Sequence, residues 1–158
     1  MSFFCADVTP SDYVAIVDAL YRFGAGQDLH DQKLFESAFS SDAEVDFTGP
    51  ALRLGVSLPI FVGLRAVSDA ILSTTSNLDT THTVTNSRIT AYSGGRASLF
   101  ALVEAQHLPR DDHSRHLLLK NIYTVDLLKQ GTCWVITHMK IENVWMVGDA
   151  SVLFPVRP

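Results

Sequence analysis

The stretch TTHTVTNSRITAYSGGRASLFALVEAQHL, residues 80–108, decides the fold of this 158-residue chain. In each half, the character of the side chains alternates from one residue to the next. This alternation is the pattern of long strands whose two faces have different surroundings. Ser93-Gly94-Gly95 separates the halves and is typical of a hairpin turn. The stretch therefore predicts two antiparallel strands, Thr80–Tyr92 and Arg96–Leu108.

The chain after this hairpin predicts more sheet. Strands are expected at His116–Lys129 and Cys133–Glu142, with a turn at Gln130-Gly131 between them. Since each strand follows the last through a short connection, the four should form an antiparallel meander.

The chain before residue 80 is mainly helical in pattern. Thr9-Pro10 is a capping residue followed by proline at the first helical position, and apolar residues then recur at helical spacing to about Ala25. The remaining predictions are helices at Asp31–Phe39 and Gly63–Ser73, a strand at Ala43–Phe47 and irregular structure at Gly49–Phe61. Helices that precede a run of strands favour an α+β fold, in which three N-terminal helices cover one face of a curved sheet. Such a sheet forms a cone whose open mouth suits a small molecule.

Composition limits the classes of function. With 47% hydrophobic and 18% charged residues and a net charge of −5, the chain fits one domain over residues 1–158, with tails at 1–9 and 149–158. The acidic balance argues against a nucleic-acid partner. No apolar run is long enough to span a membrane and no signal peptide is recognisable, so we expect a cytoplasmic protein. Cys5 and Cys133 are expected to be free thiols.

Polar side chains interrupt strand faces that otherwise predict burial. His107 ends a face that also carries three alanines, which are small enough to leave a cavity. Asn121 and Tyr123 interrupt the apolar face of the next strand, where an unpaired amide would cost about 1–3 kcal/mol. His82 and Asn86 share one side of the first long strand. These positions are the candidates for a pocket.

Ordinary structural explanations remain open for the same residues. A single buried Asn or His is usually a hydrogen-bonded core residue, and Asp28 would equally suit the cap of a helix that begins near Asp31. His138, close to Trp134 and Ile136, fits either the core or an interface with another subunit. Surface positions are predicted for His30, His113 and His116.

Signatures of metal, nucleophile and phosphate chemistry are missing from the sequence. The six histidines show no HxH or HExxH spacing. No GxSxG motif is present, and neither cysteine lies near a histidine in a known signature. Gly94-Gly95 joins two strands and is no phosphate loop. We therefore expect neither a metal nor a cofactor.

The order of elements and the placed polar residues resemble the SnoaL-like branch of the nuclear transport factor 2-like superfamily, with scytalone dehydratase the nearest pattern. The resemblance covers about residues 10–148. It rests on five short segments: Tyr21–Asp31, Ala43–Phe47, Thr80–His82, His107 and Trp134–Trp145. It implies a cone-shaped α+β barrel of mixed sheet around a pocket, assembled as a homodimer or, less expected, a trimer.

The resemblance also implies roles for individual residues. Asp28 corresponds to the family's catalytic acid, His82 to the histidine paired with it, and His107 to a second catalytic histidine. A pocket asparagine of the family corresponds to Asn121. Together with the strand faces described above, this gives expected substrate-binding positions at Asn121, Tyr123, Tyr21, Phe47, Trp145 and Asn86.

Two positions depart from the scytalone dehydratase pattern. Gln27 stands where that enzyme has the tyrosine before the acid, and Phe47 stands where it has the tyrosine that ends the first strand. Those two phenols hold the water that polarises the substrate carbonyl in scytalone dehydration. The departures imply a different substrate.

Together these features predict a cofactor-independent acid/base enzyme for a small hydrophobic or aromatic, polyketide-like carbonyl compound. His82, oriented by Asp28, would remove a proton alpha to the carbonyl, and His107, Asn121 or Tyr123 would donate to the developing enolate oxygen. Dehydration or isomerisation fits best. An aldol-type cyclase of the same fold and a non-catalytic ligand-binding or assembly subunit remain alternatives.

Overall fold

Four long strands make up the second half of the computed structural model, which describes residues 7–154. They are β3 Leu78–Ser93, β4 Arg96–Pro109, β5 Leu117–Gln130 and β6 Cys133–Gly148. Neighbours in chain order pair antiparallel, so the predicted meander is confirmed. β6 runs well beyond its predicted end at Glu142.

The first half supplies the helices and two short strands. These elements are α1 Pro10–Asp28, α2 Gln32–Glu36, β1 Phe39–Asp46, α3 Thr48–Arg53, β2 Phe61–Val62 and α4 Leu64–Thr75. β1 pairs parallel with β6 and antiparallel with β2, which gives one mixed sheet in the order β2-β1-β6-β5-β4-β3. The α+β class and the mixed sheet are confirmed. Among residues 7–154 the edge strands β2 and β3 do not pair, so the curved sheet stays open.

α1 is longer than its pattern predicts, and its last turn carries Asp28. The Thr9 hydroxyl accepts from the backbone N–H of Asp12 at 3.1 Å and so caps the helix. The helix then continues past the predicted end near Ala25. Gly26 allows this, because a Cβ there would lie 2.5 Å from the backbone of Phe35. Close contact between α1 and α2 therefore requires glycine at this position.

α2 is shorter than the predicted helix Asp31–Phe39. Its cap is Asp31, whose carboxylate accepts from the backbone N–H of Leu34 at 3.0 Å. The chain leaves the helix after Glu36, and Phe39 already belongs to β1. Since Asp31 provides the cap, the capping explanation for Asp28 is wrong.

α3 lies where irregular structure was predicted. Pro50 discourages regular structure in general, but here it falls in the first helical turn, where no intrahelical N–H is required. Asp46 supports the turn into the helix by accepting from the backbone N–H of Thr48 at 2.9 Å. The helix places Arg53 against β6, with its Nη1 2.8 Å from the carbonyl oxygen of Asn143.

Trp134 and Ile136 are both 0% exposed. An interface at these two positions is therefore excluded, because they belong to the main core beneath α1. The Trp134 indole N–H donates to Asp12, which also accepts from Lys129 at 2.8 Å and from the Tyr92 hydroxyl at 2.6 Å. Hydrogen bonds from Lys129, Tyr92 and Trp134 hold the pKa of Asp12 well below its usual range. This network fixes the start of α1 to the sheet.

The chain after β6 packs back on the sheet. A 3₁₀ helix at Ala150–Val152 begins with Asp149, whose carboxylate accepts from the backbone N–H of Ser151 at 2.9 Å. Val152 and Leu153 are buried in a second apolar cluster. Of the tail predicted at 149–158, residues 149–154 thus form part of the packed structure.

Candidate active site

A cavity of about 290 Å³ lies between α1, α4 and the concave face of the sheet. Its walls are mainly apolar and include Phe23, Phe47, Leu58, Phe61, Ile71, Leu119, Ile141, Leu153 and Phe154. Five larger polar side chains also face it: Gln27, His82, His107, Asn121 and Tyr123. Among the described residues that line it, none is Asp, Glu, Lys or Arg. The cavity therefore suits a small neutral ligand.

Asp28 and His82 form a hydrogen-bonded pair in which His82 lines this cavity and Asp28 does not. The end of α1 brings Asp28 against β3, where its Oδ1 lies 2.7 Å from Nδ1 of His82. Oδ1 also accepts from the Thr80 hydroxyl at 2.8 Å, and Oδ2 accepts from the backbone N–H of His82 at 2.8 Å. The side chains are only 4% exposed for His82 and 21% for Asp28.

These donors keep Asp28 ionised. Burial acts to raise the pKa of Asp28, but the hydrogen bonds and charge of His82 and the hydroxyl of Thr80 outweigh it, so the pKa is lowered. An ionised carboxylate only accepts hydrogen bonds, so the proton on the neutral His82 ring belongs at Nδ1. Nε2 of His82 is left as an unprotonated acceptor, the form that a general base requires.

His107 lies on β4 beside this pair and is 4% exposed. Its Nδ1 is 3.3 Å from the carbonyl oxygen of Leu117, and since a carbonyl only accepts, Nδ1 carries the proton. Burial and the neighbouring His82 lower the pKa of His107 to about 4. The ring is therefore neutral near pH 7 and offers an acceptor at Nε2. The predicted donation from His107 to an enolate oxygen does not fit this tautomer.

β5 contributes the hydrogen-bond donors that face the cavity. Asn121 and Tyr123 are both 2% exposed, and both line the cavity. Burial raises the pKa of the Tyr123 phenol, so it stays protonated and able to donate. Oδ1 of Asn121 accepts from Nδ2 of Asn143 at 2.9 Å. Asn143, which the sequence pattern did not single out, is thus the partner that a buried Asn121 requires.

Three predicted substrate-binding residues lie away from the cavity, while Phe47 does line it. Tyr21 is 52% exposed because it lies on the outer face of α1. Asn86 is exposed and has a φ of 53° within a β-bulge between Thr85 and Arg88, which shifts its register. Trp145 is 46% exposed, with the ammonium group of Lys120 5.7 Å from its ring centre. Tyr21, Asn86 and Trp145 therefore do not line this cavity.

Parts of the wall were missed by sequence reasoning. Ser73, Thr74 and Thr75 line the cavity from the last turn of α4. The apolar face of that helix was recognised, and its continuation was the available signal. Phe154 lines the cavity from within the predicted tail. One aromatic residue near the end of a chain gives no pattern from which such a position could be inferred.

The remaining histidines and the described cysteine lie on or near the surface. His30, His113 and His116 are exposed, and His138 is half-buried. Cys133 is an exposed free thiol, and Cys5 lies outside the described residues. Within residues 7–154 no group of three potential metal ligands occurs. None of the helices described is both long and apolar enough to cross a membrane.

Comparison with known families gives the class of protein. A family model described as a SnoaL-like domain matches residues 9–140, so the chain belongs to the SnoaL-like domain family, as the sequence resemblance implied. A relative from Penicillium crustosum, the terrestric acid biosynthesis cluster protein E, is 29% identical over 148 residues. That match covers 90% of this chain and 89% of the relative.

Solved structures share the fold at lower identity. One, assigned as a scytalone dehydratase from Novosphingobium aromaticivorans, has a TM-score of 0.74 at 17% identity, covering 95% of this chain and 94% of its own. Another, the hexachlorocyclohexane dehydrochlorinase LinA-type3 from Novosphingobium barchaimii, has a TM-score of 0.72 at 18% identity, covering 94% and 96%. These likenesses establish a common architecture with this chain.

Proposed function

We propose that this protein is a cofactor-independent acid/base enzyme that eliminates water from a small neutral β-hydroxy carbonyl compound. The observation that carries the proposal is the 2.7 Å contact between His82 and Asp28 at an apolar cavity. The carboxylate holds the proton at Nδ1 and leaves Nε2 free to act as the base. General acid/base catalysis of this kind typically contributes about 10²–10⁴-fold in rate.

The proposed reaction uses one histidine twice. Nε2 of His82 takes a proton from the carbon alpha to the carbonyl, and the electron pair moves to the carbonyl oxygen as an enolate. The hydroxyl of Tyr123 and the amide of Asn121 stabilise the oxyanion. When the enolate collapses, the C–O bond to the β-hydroxyl breaks. The leaving hydroxide takes the proton from the His82 imidazolium and departs as water, so the base is restored.

Isomerisation follows from the same intermediate if the imidazolium returns its proton to another carbon. Elimination is favoured because two proteins of this fold are named for eliminations, a dehydratase and a dehydrochlorinase. The name of the Penicillium crustosum relative refers to a biosynthesis cluster, which supports a biosynthetic metabolite as substrate. An aldol-type cyclisation also begins with proton removal and is the alternative outcome of the same test.

A panel of neutral β-hydroxy ketones, followed by enone absorbance and by NMR in D₂O, tests the proposal. We expect at least one member to lose water or exchange its alpha proton with the unaltered protein, and neither with His82→Gln. Asn86→Asp is the matched control, because Asn86 is exposed on the strand that carries His82. Carbon–carbon bond formation would identify a cyclase instead. Binding without exchange or turnover across the panel would identify a non-catalytic binder and contradict the proposal.

A homodimer is part of the same proposal. Val144, Trp145 and Val147 are each about half-exposed on β6 and are the candidate contacts. Light scattering coupled to size exclusion should give twice the chain mass, and a monomer at micromolar concentration would contradict it.

A further inference from the structure

Asn143 lies at a β-bulge between β5 and β6, where the register shifts between Lys120 and Asn121. Its Nδ2 is 3.3 Å from the carbonyl oxygen of Lys120, 3.0 Å from that of Trp145 and 2.9 Å from Oδ1 of Asn121. On its other side, Nη1 of Arg53 lies 3.0 Å from Oδ1 of Asn143. Both the nitrogen and the oxygen of this side-chain amide thus have described neighbours.

These neighbours allow only one orientation of the Asn143 amide. A guanidinium group can only donate hydrogen bonds, and a backbone carbonyl can only accept them. The oxygen of Asn143 must therefore face Arg53, and its NH₂ group must face the carbonyls and Asn121. Because the NH₂ group of Asn143 can only donate, the atom of Asn121 that faces it must be the oxygen Oδ1.

The NH₂ group of Asn121 consequently turns to the cavity. Asn121 is 2% exposed and lines the cavity, where the Tyr123 hydroxyl, which also lines it, accepts a hydrogen bond from the Asn121 side chain. No buried side-chain nitrogen or oxygen among the described residues is left both inaccessible and unpaired. The NH₂ group therefore lies on the cavity side beside Tyr123, and its second N–H and the Tyr123 hydroxyl proton are left for a ligand or water to accept.

We propose that Asn143, held in place by its hydrogen bond from Arg53, is a positioning residue. It orients the Asn121 amide with the NH₂ group toward the cavity, and the part of the cavity wall that β5 forms is thereby a subsite for a ketone oxygen. The facing wall on β3 and β4 offers the opposite polarity, because Nε2 of His82 and of His107 are both acceptors. A ligand that satisfies both walls presents a carbonyl oxygen to one and a hydroxyl or acidic C–H to the other. Without Lys or Arg among the described lining residues, a carboxylate is disfavoured.

The first test measures the direction of the Asn121 amide by NMR. In the unaltered protein, the Nδ2 protons of Asn121 should show contacts to the Tyr123 ring. Asn143→Asp replaces the donor by an isosteric carboxylate, so Asn121 should rotate and lose those contacts. Nδ2 protons directed toward residue 143 in the unaltered protein would overturn the inference.

The second test uses two neutral bicyclic probes, 1-indanone and 1-indanol, which differ in a carbonyl against a hydroxyl. In Asn143→Asp we expect the Kd of the ketone to rise about tenfold, while that of the alcohol changes less than about threefold, because the alcohol can donate to the rotated Asn121 oxygen. Asn86→Asp makes the same charge change on an exposed part of the sheet and should alter neither. Equal weakening of both probes would show a merely structural role, and failure of 1-indanone to bind the unaltered protein would contradict the subsite.

A second variant keeps the inference testable if Asn143→Asp fails to fold. Asn121→Asp keeps the Asn143 donor in place and turns a carboxylate oxygen to the cavity, so it should cause the same selective loss of the ketone. The inference rests on the proposed function only in taking the bound ketone as the reacting group. Neither test measures turnover, so the two proposals can fail separately. Ketone selectivity without turnover would refute the reaction and leave the subsite standing, and turnover without ketone selectivity would refute the subsite and leave the reaction standing.

Discussion

The imidazole rings of His82 and His107 meet edge to face, with ring centroids 6.0 Å apart and planes at 85°. The Nδ1–H group of each ring donates a hydrogen bond within the protein. His82 donates to the Asp28 carboxylate, and His107 donates to the backbone carbonyl of Leu117. In the neutral form of both rings, two Nε2 acceptors therefore serve the same cavity. Only His82, which is paired with the Asp28 carboxylate, has a negative charge beside it that would stabilise a captured proton. His82 is therefore suited to act as the base, and His107 is suited to accept a hydrogen bond from a hydroxyl group.

His82→Gln should lower kcat by about 10²–10⁴-fold, because the amide keeps much of the side-chain volume but cannot take a proton. The melting temperature should stay close to that of the unaltered protein. Steady-state kinetics and a thermal melt on the same preparation check both parts. Activity within tenfold of the unaltered protein, with the fold intact, would exclude His82 as the base.

Asp28→Asn should remove activity to a similar extent by changing the tautomer of His82. The backbone N–H of His82 donates to one Asp28 oxygen and cannot change its polarity, so the oxygen of the substituted amide would have to stay there. The new NH₂ group then faces Nδ1, which must become an acceptor, and the ring proton moves to Nε2. ¹⁵N NMR of the imidazole reads the tautomer directly. An unchanged tautomer with activity lost would contradict this explanation.

His107 should make the fold less stable as the pH falls. Its folded pKa of about 4 lies below the ordinary 6.5, so the unfolded chain binds the proton first. The contribution of neutral His107 is fully present above about pH 6.5 and is lost progressively toward pH 4, on the order of 3 kcal/mol in all. Urea unfolding of the unaltered protein and of His107→Gln at several pH values checks this. Parallel pH profiles for the two proteins would count against it.

Gly26→Ala should destabilise the protein by roughly 1–3 kcal/mol, although alanine favours helix, because the new methyl group would overlap the backbone of Phe35. Gly49→Ala is the matched control, since a Cβ there would meet only the carbonyl oxygen of Ile141 at 3.5 Å. Denaturant midpoints compare the two variants. Equal stability would mean that α1 and α2 separate without cost.

Much of the sheet was predictable because long alternating strands and a Gly-Gly hairpin are local signals. The positions of Asn86 and Trp145 were not, because each depends on a β-bulge that reverses which face a side chain takes. The approach of Asp28 to His82 joins residues far apart in the chain and was inferred through the family resemblance. Asn143 was missed because its importance arises only from the bulge and from Arg53, which lies on a helix that the sequence did not predict.

The parallel pairing of β1 with β6 has a consequence for synthesis. Phe39 pairs with Ile136, almost a hundred positions later, while the hairpins of the meander can close as soon as they are made. On the ribosome, Asp28 and His82 leave the exit tunnel long before the strand that joins the two halves of the sheet. A chain released before β6 would carry both partners of the pair yet lack Ile141 of the cavity wall and the strand to which β1 pairs.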